Sequence, residues 1–175
     1  MTQNYPWYEL TTSHELHQGD LFFDCPVAIP AEDHRNEPVS LSVDLFEYDV
    51  IVLSQSCDLE NRKLNLVTVC PHWPLSKLAE RAPHFKTERG WRELVQGNLP
   101  GYHLINRSDL HSSMNEPRVV DFRNVYGLPF DFLTRFAKQQ GERLRLLPPY
   151  REHLSQAFAR FFMRVGLPVQ VELEK

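Results

Sequence analysis

The sequence has little of what marks secreted, membrane or disulfide-linked proteins. It contains only three cysteines, Cys25, Cys57 and Cys70, with no Cys-x-x-Cys pair. This odd number argues against a disulfide framework and predicts free thiols in a reducing compartment. No window approaches the roughly 18 consecutive apolar residues of a membrane span, and residues 1–16 hold neither a basic leader nor an apolar run. We therefore expect a cytoplasmic protein that does not associate with a membrane.

The chain also lacks internal repeats and low-complexity segments, which argues against a repeat architecture. Of its 175 residues, 42% are hydrophobic and 24% are charged. A chain of this length and composition can bury a core without disulfides or metals. We therefore expect a single globular domain over residues 1–175, with no cofactor.

Basic side chains are nearly absent from the first third of the chain. Residues 1–60 carry twelve acidic side chains and one basic side chain, whereas residues 61–116 carry eight basic and five acidic ones, and residues 117–175 ten basic and six acidic ones. This asymmetry indicates either a basic surface for an acidic partner or two ends that neutralise each other on folding. The second interpretation is favoured because the whole chain is acidic, with a net charge of −4.

Strand patterns dominate the first 130 residues. Six segments show apolar residues in alternation or in short runs bounded by turn residues. They are residues 19–29, 37–48, 49–53, 64–69, 102–106 and 117–122. The run DVIVL, 49–53, is typical of a strand covered on both faces, and 64–69 is its expected hairpin partner. Short strands with little room for crossover helices predict an α+β fold, mainly β, with an SH3-like antiparallel barrel over about 19–133.

Two segments are helix-prone. Residues 75–98, broken by Pro83, predict a helical insertion in the barrel. A second helix is predicted over about 149–165, since a double proline precedes it, Gly166 suits its C-cap and Pro168 follows. We expect this amphipathic helix to lie on the barrel.

The C-terminal helix presents two stripes at about 100° per residue. The apolar stripe, expected to dock on the barrel, consists of Leu154, Phe158, Phe161, Phe162 and Val165. The neighbouring stripe is the candidate binding site and consists of His153, Gln156, Arg160 and Arg164. Arginines one turn apart can bind a phosphate or carboxylate. The alternative is a solvated face or a clamp on the acidic N-terminal region.

Cys57 and Asp58 are the candidate catalytic residues, in the loop after the buried run 49–53. A cysteine nucleophile needs a nearby cation, a histidine or a helix N-terminus, and Asp58 opposes this activation. His72 is expected about 25 Å away along the hairpin. A partner must therefore come from the tertiary fold, either from the helix stripe or from one of three histidines. These histidines are His103, His111 and His153.

Other interpretations of the same residues stay open. In one of them Cys57 is a packed loop residue. In another it is a zinc ligand, together with Cys25, Cys70 and His72. No metal is expected, because the spacing does not suit a zinc site. The loop residues Asp58, Glu60, Arg62 and Lys63 resemble the acids and lysine of metal-dependent nucleases. The aromatic residues Tyr5, Trp7 and Tyr8 either tether the N-terminus to the core or stack on bases, and tethering is favoured.

Four segments together resemble the PemK/MazF-like toxin fold, an SH3-like barrel. They are QGDLFFDCPVAIP, YDVIVLSQSCDLENRKLNLVTVCPHWP, YHLINRSDL and PRVVDFRNVYGLPFDFL. The resemblance covers about 19–133 and leaves the C-terminal helix unmatched. It implies RNA cleavage by an Arg-Pro before the buried strand and a threonine after the proline of the next strand. Here these places hold Tyr48-Asp49 and His72-Trp73.

The leading hypothesis is a bacterial protein that acts on or binds RNA or DNA, as a toxin–antitoxin or phage-defence component. One alternative is a small thiol-dependent enzyme that uses Cys57. The other is a non-catalytic subunit whose C-terminal helix binds a protein partner or a second copy of the chain. Because the site and not the fold carries function, the choice between them depends on which side chains meet.

Overall fold

The computed structural model describes residues 5–30 and 42–163. Within these ranges the strands are β1 (Tyr8–Thr11), β2 (Leu21–Pro30), β3 (Val43–Val52), β4 (Leu66–Pro74), β5 (Tyr102–Ile105), β6 (Arg118–Asp121), β7 (Tyr126–Pro129) and β8 (Arg143–Leu146). The helices are α1 (Ser56–Glu60), α2 (Leu75–Arg81), α3 (Glu88–Val95), α4 (Phe130–Gln140) and α5 (Tyr150–Phe162), with 3₁₀ turns at Pro83–Lys86 and Ser112–Met114.

The main sheet has the strand order β2-β3-β4-β6-β5, with β7 also paired to β4. Strands β1 and β8 form a second, two-stranded sheet, and the bridge between Asp20 and Arg145 links it to the start of β2. Every pairing between these strands is antiparallel. The predicted α+β class is therefore confirmed, whereas closure of the sheet into an SH3-like barrel stays a prediction.

Strand β3 combines two segments that the sequence analysis predicts as separate strands. Residues 37–41 lie outside the described residues, and the rest of the predicted strands 37–48 and 49–53 forms one continuous strand. The half-buried alternation predicted over 37–48 is wrong in the first half of β3, where Val43 is 59% and Leu45 70% exposed. This half of β3 pairs with β2 alone, while only Val50–Val52 also pairs with β4.

The centre of the main sheet is buried on both faces, under α5 on one side and α4 on the other, and successive strand residues point to these opposite sides. In β3, Ile51 packs with Phe23 in the core beneath α5, and its neighbour Val50 packs with Phe22 in the core beneath α4. The prediction that the run 49–53 is covered on both faces is confirmed by this arrangement.

Helix α5 docks through most of its predicted apolar stripe. Leu154 is fully buried, and Phe158 and Phe161 lie 5.4 Å and 6.3 Å from the ring of Phe122. Phe162, in contrast, is 60% exposed, because it lies about 80° around the helix from Leu154. Val165, Gly166 and Pro168 lie outside the described residues.

The helical segment predicted at 75–98 contains α2, α3 and the 3₁₀ turn between them. Leu78, Phe85 and Leu94 pack with Val119 of β6 in a small third core. The Thr87 hydroxyl caps α3 by accepting a hydrogen bond from the Gly90 backbone N–H at 3.0 Å. This packing fixes the end of α3 beside β5, where it forms one wall of a cleft.

Candidate functional site

A cleft of about 730 Å³ lies between the end of α3, strand β5 and helix α5. Its polar lining side chains are Gln96, His103, His153, Gln156 and Arg160. Its larger apolar lining side chains are Leu94, Val95, Tyr102, Leu104 and Met163. Among the described lining residues there is no aspartate or glutamate. The cleft therefore combines an arginine and two histidines with apolar groups, and its described lining holds no carboxylate counter-charge.

Three of the four predicted binding residues line this cleft. His153, Gln156 and Arg160 are all exposed on α5, whereas Arg164 lies outside the described residues. They share one side of the helix because their spacings of three and four residues are close to one helical turn. Leu154, on the neighbouring stripe, is buried in the core, and the stripe of His153, Gln156 and Arg160 beside it faces the same cleft as β5.

His103 joins the cleft from β5, and it was expected only as a possible partner of Cys57. Burial lowers the pKa of His103 to about 4, and the nearby His153 and Arg160 lower it in the same direction. At neutral pH this imidazole is therefore uncharged. The sequence marks His103 as a strand residue, but only the packing of α5 on the sheet places it beside the helix stripe.

Arg160 supplies the permanent positive charge of the cleft. Within residues 5–30 and 42–163 it forms no ion pair, and its Nε donates only to the Gln156 carbonyl at 3.5 Å. The guanidinium can therefore donate to a bound oxyanion without first breaking an ion pair.

Cys57 lies on a smaller recess of about 380 Å³ on the other side of α5. It is exposed in the first turn of α1, so the interpretation of Cys57 as a packed residue is wrong. The expected approach of α5 is present, but neither His153 nor Arg160 reaches the recess. The α5 residues that line it are Arg151, Glu152, Ser155 and Gln156. No histidine lines the described recess. The recess therefore offers Cys57 no imidazole base.

Asp58 and its charged neighbours point to different partners. Asp58 pairs with Lys63 at 3.5 Å, and Glu60 lies 3.5 Å from His17. Arg62 lies over the Phe130 ring, 5.4 Å from its centroid. These side chains do not converge as the acids and lysine of a metal-dependent nuclease would.

The three cysteines do not meet either. Cys25 and Cys70 are fully buried in the cores on opposite faces of the sheet, and Cys57 is exposed. In the part of the chain that the structure describes, no group of three or more His, Cys, Asp or Glu side chains is arranged to hold a metal ion. The zinc interpretation of Cys25, Cys57, Cys70 and His72 is therefore wrong.

The two positions that the family resemblance singles out are joined by Arg118 of β6. Its Nε donates to Nδ1 of His72 at 2.7 Å, and its terminal nitrogens donate to Asp49 and, at 2.8 Å, to the Ser113 carbonyl. Burial lowers the pKa of His72 well below its ordinary value, and the charge of Arg118 lowers it further. With Arg118 only 2% exposed, this network holds three strands together and offers little surface to a substrate.

The charge asymmetry of the sequence is partly explained by buried ion pairs. Asp20 is fully buried and pairs with Arg143 at 2.9 Å and with Arg145 at 2.6 Å. Asp49 pairs with Arg118. Acidic residues of the N-terminal third thus neutralise arginines of the C-terminal third, as the favoured interpretation predicts. Arg160 is not part of this arrangement.

The N-terminal aromatic residues tether the chain. Trp7 stacks on Tyr150 with a ring separation of 3.6 Å, and buried Tyr8 donates its hydroxyl to the Asn106 carbonyl at 2.6 Å. The tethering interpretation is confirmed for these two residues. Trp7 thereby contacts the first residue of α5, the helix that carries the binding stripe.

No family model, curated protein or solved structure matches the chain. None of the described helices has the length and apolar character needed to cross a membrane. The PemK/MazF-like resemblance stays a prediction, and the site is interpreted from its own chemistry.

Proposed function

We propose that the cleft between α3, β5 and α5 binds single-stranded nucleic acid. The observation that carries this proposal is the convergence of His103, His153 and Arg160 on a cleft whose described lining has no carboxylate. Phosphate is the ligand group that such a set of N–H donors matches best, and arginine binds it in a fork.

The apolar wall favours a nucleotide over a free phosphate. Beside Arg160 and the histidines, the cleft is lined by Leu94, Val95, Tyr102 and Leu104. A base that has left its stack can pack on such a surface, whereas the bases of a duplex are already stacked on one another. The cleft volume of about 730 Å³ lies in the usual range of about 300–1,000 Å³ for small-ligand sites. The cleft therefore suits one unstacked nucleotide of a longer strand.

The proposal is one of binding and does not require RNA cleavage. The positions that the toxin resemblance assigns to catalysis hold Asp49 and His72, which the Arg118 network occupies. A single-strand-binding role is compatible with a toxin–antitoxin or phage-defence component. The thiol-dependent enzyme is not favoured, since no described histidine reaches the Cys57 recess.

The test is the fluorescence anisotropy of a labelled decamer, supplied as single-stranded RNA, single-stranded DNA and a DNA duplex of the same sequence. The proteins are the wild type, Arg160→Ala and the control Arg135→Ala. Arg135 is also exposed, but it lies on α4 and outside the cleft lining. Both variants lose one positive charge, so non-specific electrostatics affect them alike.

We expect Arg160→Ala to weaken single-strand binding by about 10- to 100-fold, as loss of a charged hydrogen bond costs about 1.5–3 kcal/mol. Arg135→Ala should change it less than about threefold. The duplex should bind more weakly than either single strand, and the RNA and DNA arms show which sugar is preferred. Equal effects of the two substitutions, or no single-strand binding at low salt, would contradict the proposal.

A further inference from the structure

The cleft and the Cys57 recess adjoin each other along α5. Gln156 lines both of them. On one side of it lie His153 and Arg160, and on the other lie Ser155 and Arg151. Ser155 and Arg160 are separated by about 8 Å along the helix axis, at 1.5 Å per residue. A flexible polymer can therefore occupy both recesses by crossing Gln156.

The two recesses differ in chemistry. The smaller one is lined by the amide and hydroxyl side chains of Gln18, Gln55, Ser56, Ser155 and Gln156 and by the carboxylate of Glu152. Its one arginine, Arg151, is paired with Glu152 at 2.8 Å. This recess therefore has no free cation among its described lining residues and is a poor phosphate site. Amides and hydroxyls carry both donors and acceptors, as base edges and sugar hydroxyls do.

We propose that the Cys57 recess is a second subsite, which binds the nucleoside adjacent to the phosphate held at Arg160. The inference rests on the proposed function of the cleft and extends it. The ligand is a single strand of at least two nucleotides that passes over Gln156. In this arrangement the thiol of Cys57 is covered by the bound strand and takes no part in chemistry.

The cysteine distribution provides a direct test. Cys57 is exposed while Cys25 and Cys70 are fully buried, so alkylation of the folded protein reports on this recess alone. The rate of iodoacetamide modification of Cys57 would be measured by mass spectrometry. The probes are the RNA decamer, the DNA decamer, a mononucleotide and inorganic phosphate.

At about ten times its Kd, the better decamer should slow modification of Cys57 about tenfold, in proportion to the fraction of protein left free. The mononucleotide and phosphate should leave the rate unchanged, because they fill only the cleft. At the same decamer concentration, Arg160→Ala should restore the rate toward that of the free protein, although Arg160 does not line the recess.

The outcomes separate this inference from the proposed function. If anisotropy shows decamer binding that depends on Arg160 while Cys57 reacts at its free rate, the second subsite is wrong and the cleft proposal stands. Protection by phosphate or by the mononucleotide would also overturn the subsite, since a strand would not be needed. If no single strand binds, both proposals fail.

Discussion

Nε of Arg118 donates to Nδ1 of His72 at 2.7 Å, and both side chains are buried. The bond makes Nδ1 the acceptor of the imidazole, while burial, together with the charge of Arg118, lowers the pKa of His72 and keeps it neutral. It links β4 to β6 at the positions where the family resemblance implies a catalytic group. The relationship explains why this part of the sheet is structural while the cleft on α5 is available to a ligand.

Loss of the acceptor at position 72 should destabilise the fold. His72→Leu leaves Nε of a buried guanidinium unsatisfied and should lower the free energy of unfolding by about 2–4 kcal/mol. His72→Asn keeps an acceptor near the position of Nδ1 and should cost less. Urea denaturation of the two variants measures the difference. Equal losses would show that the hydrogen bond contributes little beyond packing.

The stability of the fold should decrease as the pH is lowered below about 6.5, which is the ordinary pKa of histidine. The pKa of His103 is about 4 in the folded state, and the pKa of His72 is also well below its ordinary value. Between these values and 6.5 the unfolded chain binds protons that the folded chain does not. Each histidine therefore lowers the free energy of unfolding by up to about 1.4 kcal/mol for each unit by which the pH falls.

Urea denaturation at several pH values between 7.5 and 5 measures this dependence. His72→Asn and His103→Gln should each reduce the slope, because each removes one depressed histidine. A slope below pH 6.5 that neither substitution changes would assign the acid sensitivity to other groups.

The buried Asp20 should be far more sensitive to substitution than a surface acid. Asp20→Asn leaves Arg143, which is itself fully buried, without its carboxylate partner, and should cost about 3–5 kcal/mol. The matched control is Glu93→Gln, which removes the exposed pair with Arg89 and should cost less than about 0.5 kcal/mol. Thermal or urea unfolding of both variants makes the comparison. Similar losses would contradict the expectation that the buried pair of Asp20 and Arg143 stabilises the fold more than an exposed pair does.

One thiol per chain should react in the folded protein and three in denaturant. Burial raises the pKa of Cys25 to about 12 and that of Cys70 to about 12, and Asp121 also raises the latter. Their thiolate fraction near neutral pH is therefore negligible, in addition to their lack of access. Peptide mapping after brief alkylation should find the label on Cys57 alone. Native labelling of Cys25 or Cys70 would contradict the described core.

Local patterns predicted the elements that bury apolar side chains most completely. The run 49–53, the hairpin to β4 and helix α5 were evident because their periodicity or uninterrupted apolar character reflects their burial. Strands β1 and β8, of four residues each, were missed. Their pairing, between residues nearly 140 positions apart, has no local signal.

The sequence predicted the part of the candidate site that lies on α5 and missed the part that lies on α3 and β5. His153, Gln156 and Arg160 share a helix, so helical periodicity alone places them together. His103 comes from β5, and the apolar wall comes from α3 and β5. Such positions depend on how α5 crosses the sheet, which no single segment determines. For the same reason, the proximity of Asp49, His72 and Arg118 could not be derived from the spacing of residues along the chain.

The central claim is that Arg160 contacts a nucleic-acid phosphate, and the salt dependence of binding tests it most directly. For single strands, log K falls with log salt concentration with a slope of about −0.7 for each phosphate neutralised. Titrations of the decamer at several salt concentrations should therefore give Arg160→Ala a slope about 0.7 shallower than the wild type, while Arg135→Ala gives the wild-type slope. Parallel lines for the wild type and Arg160→Ala would contradict the claim.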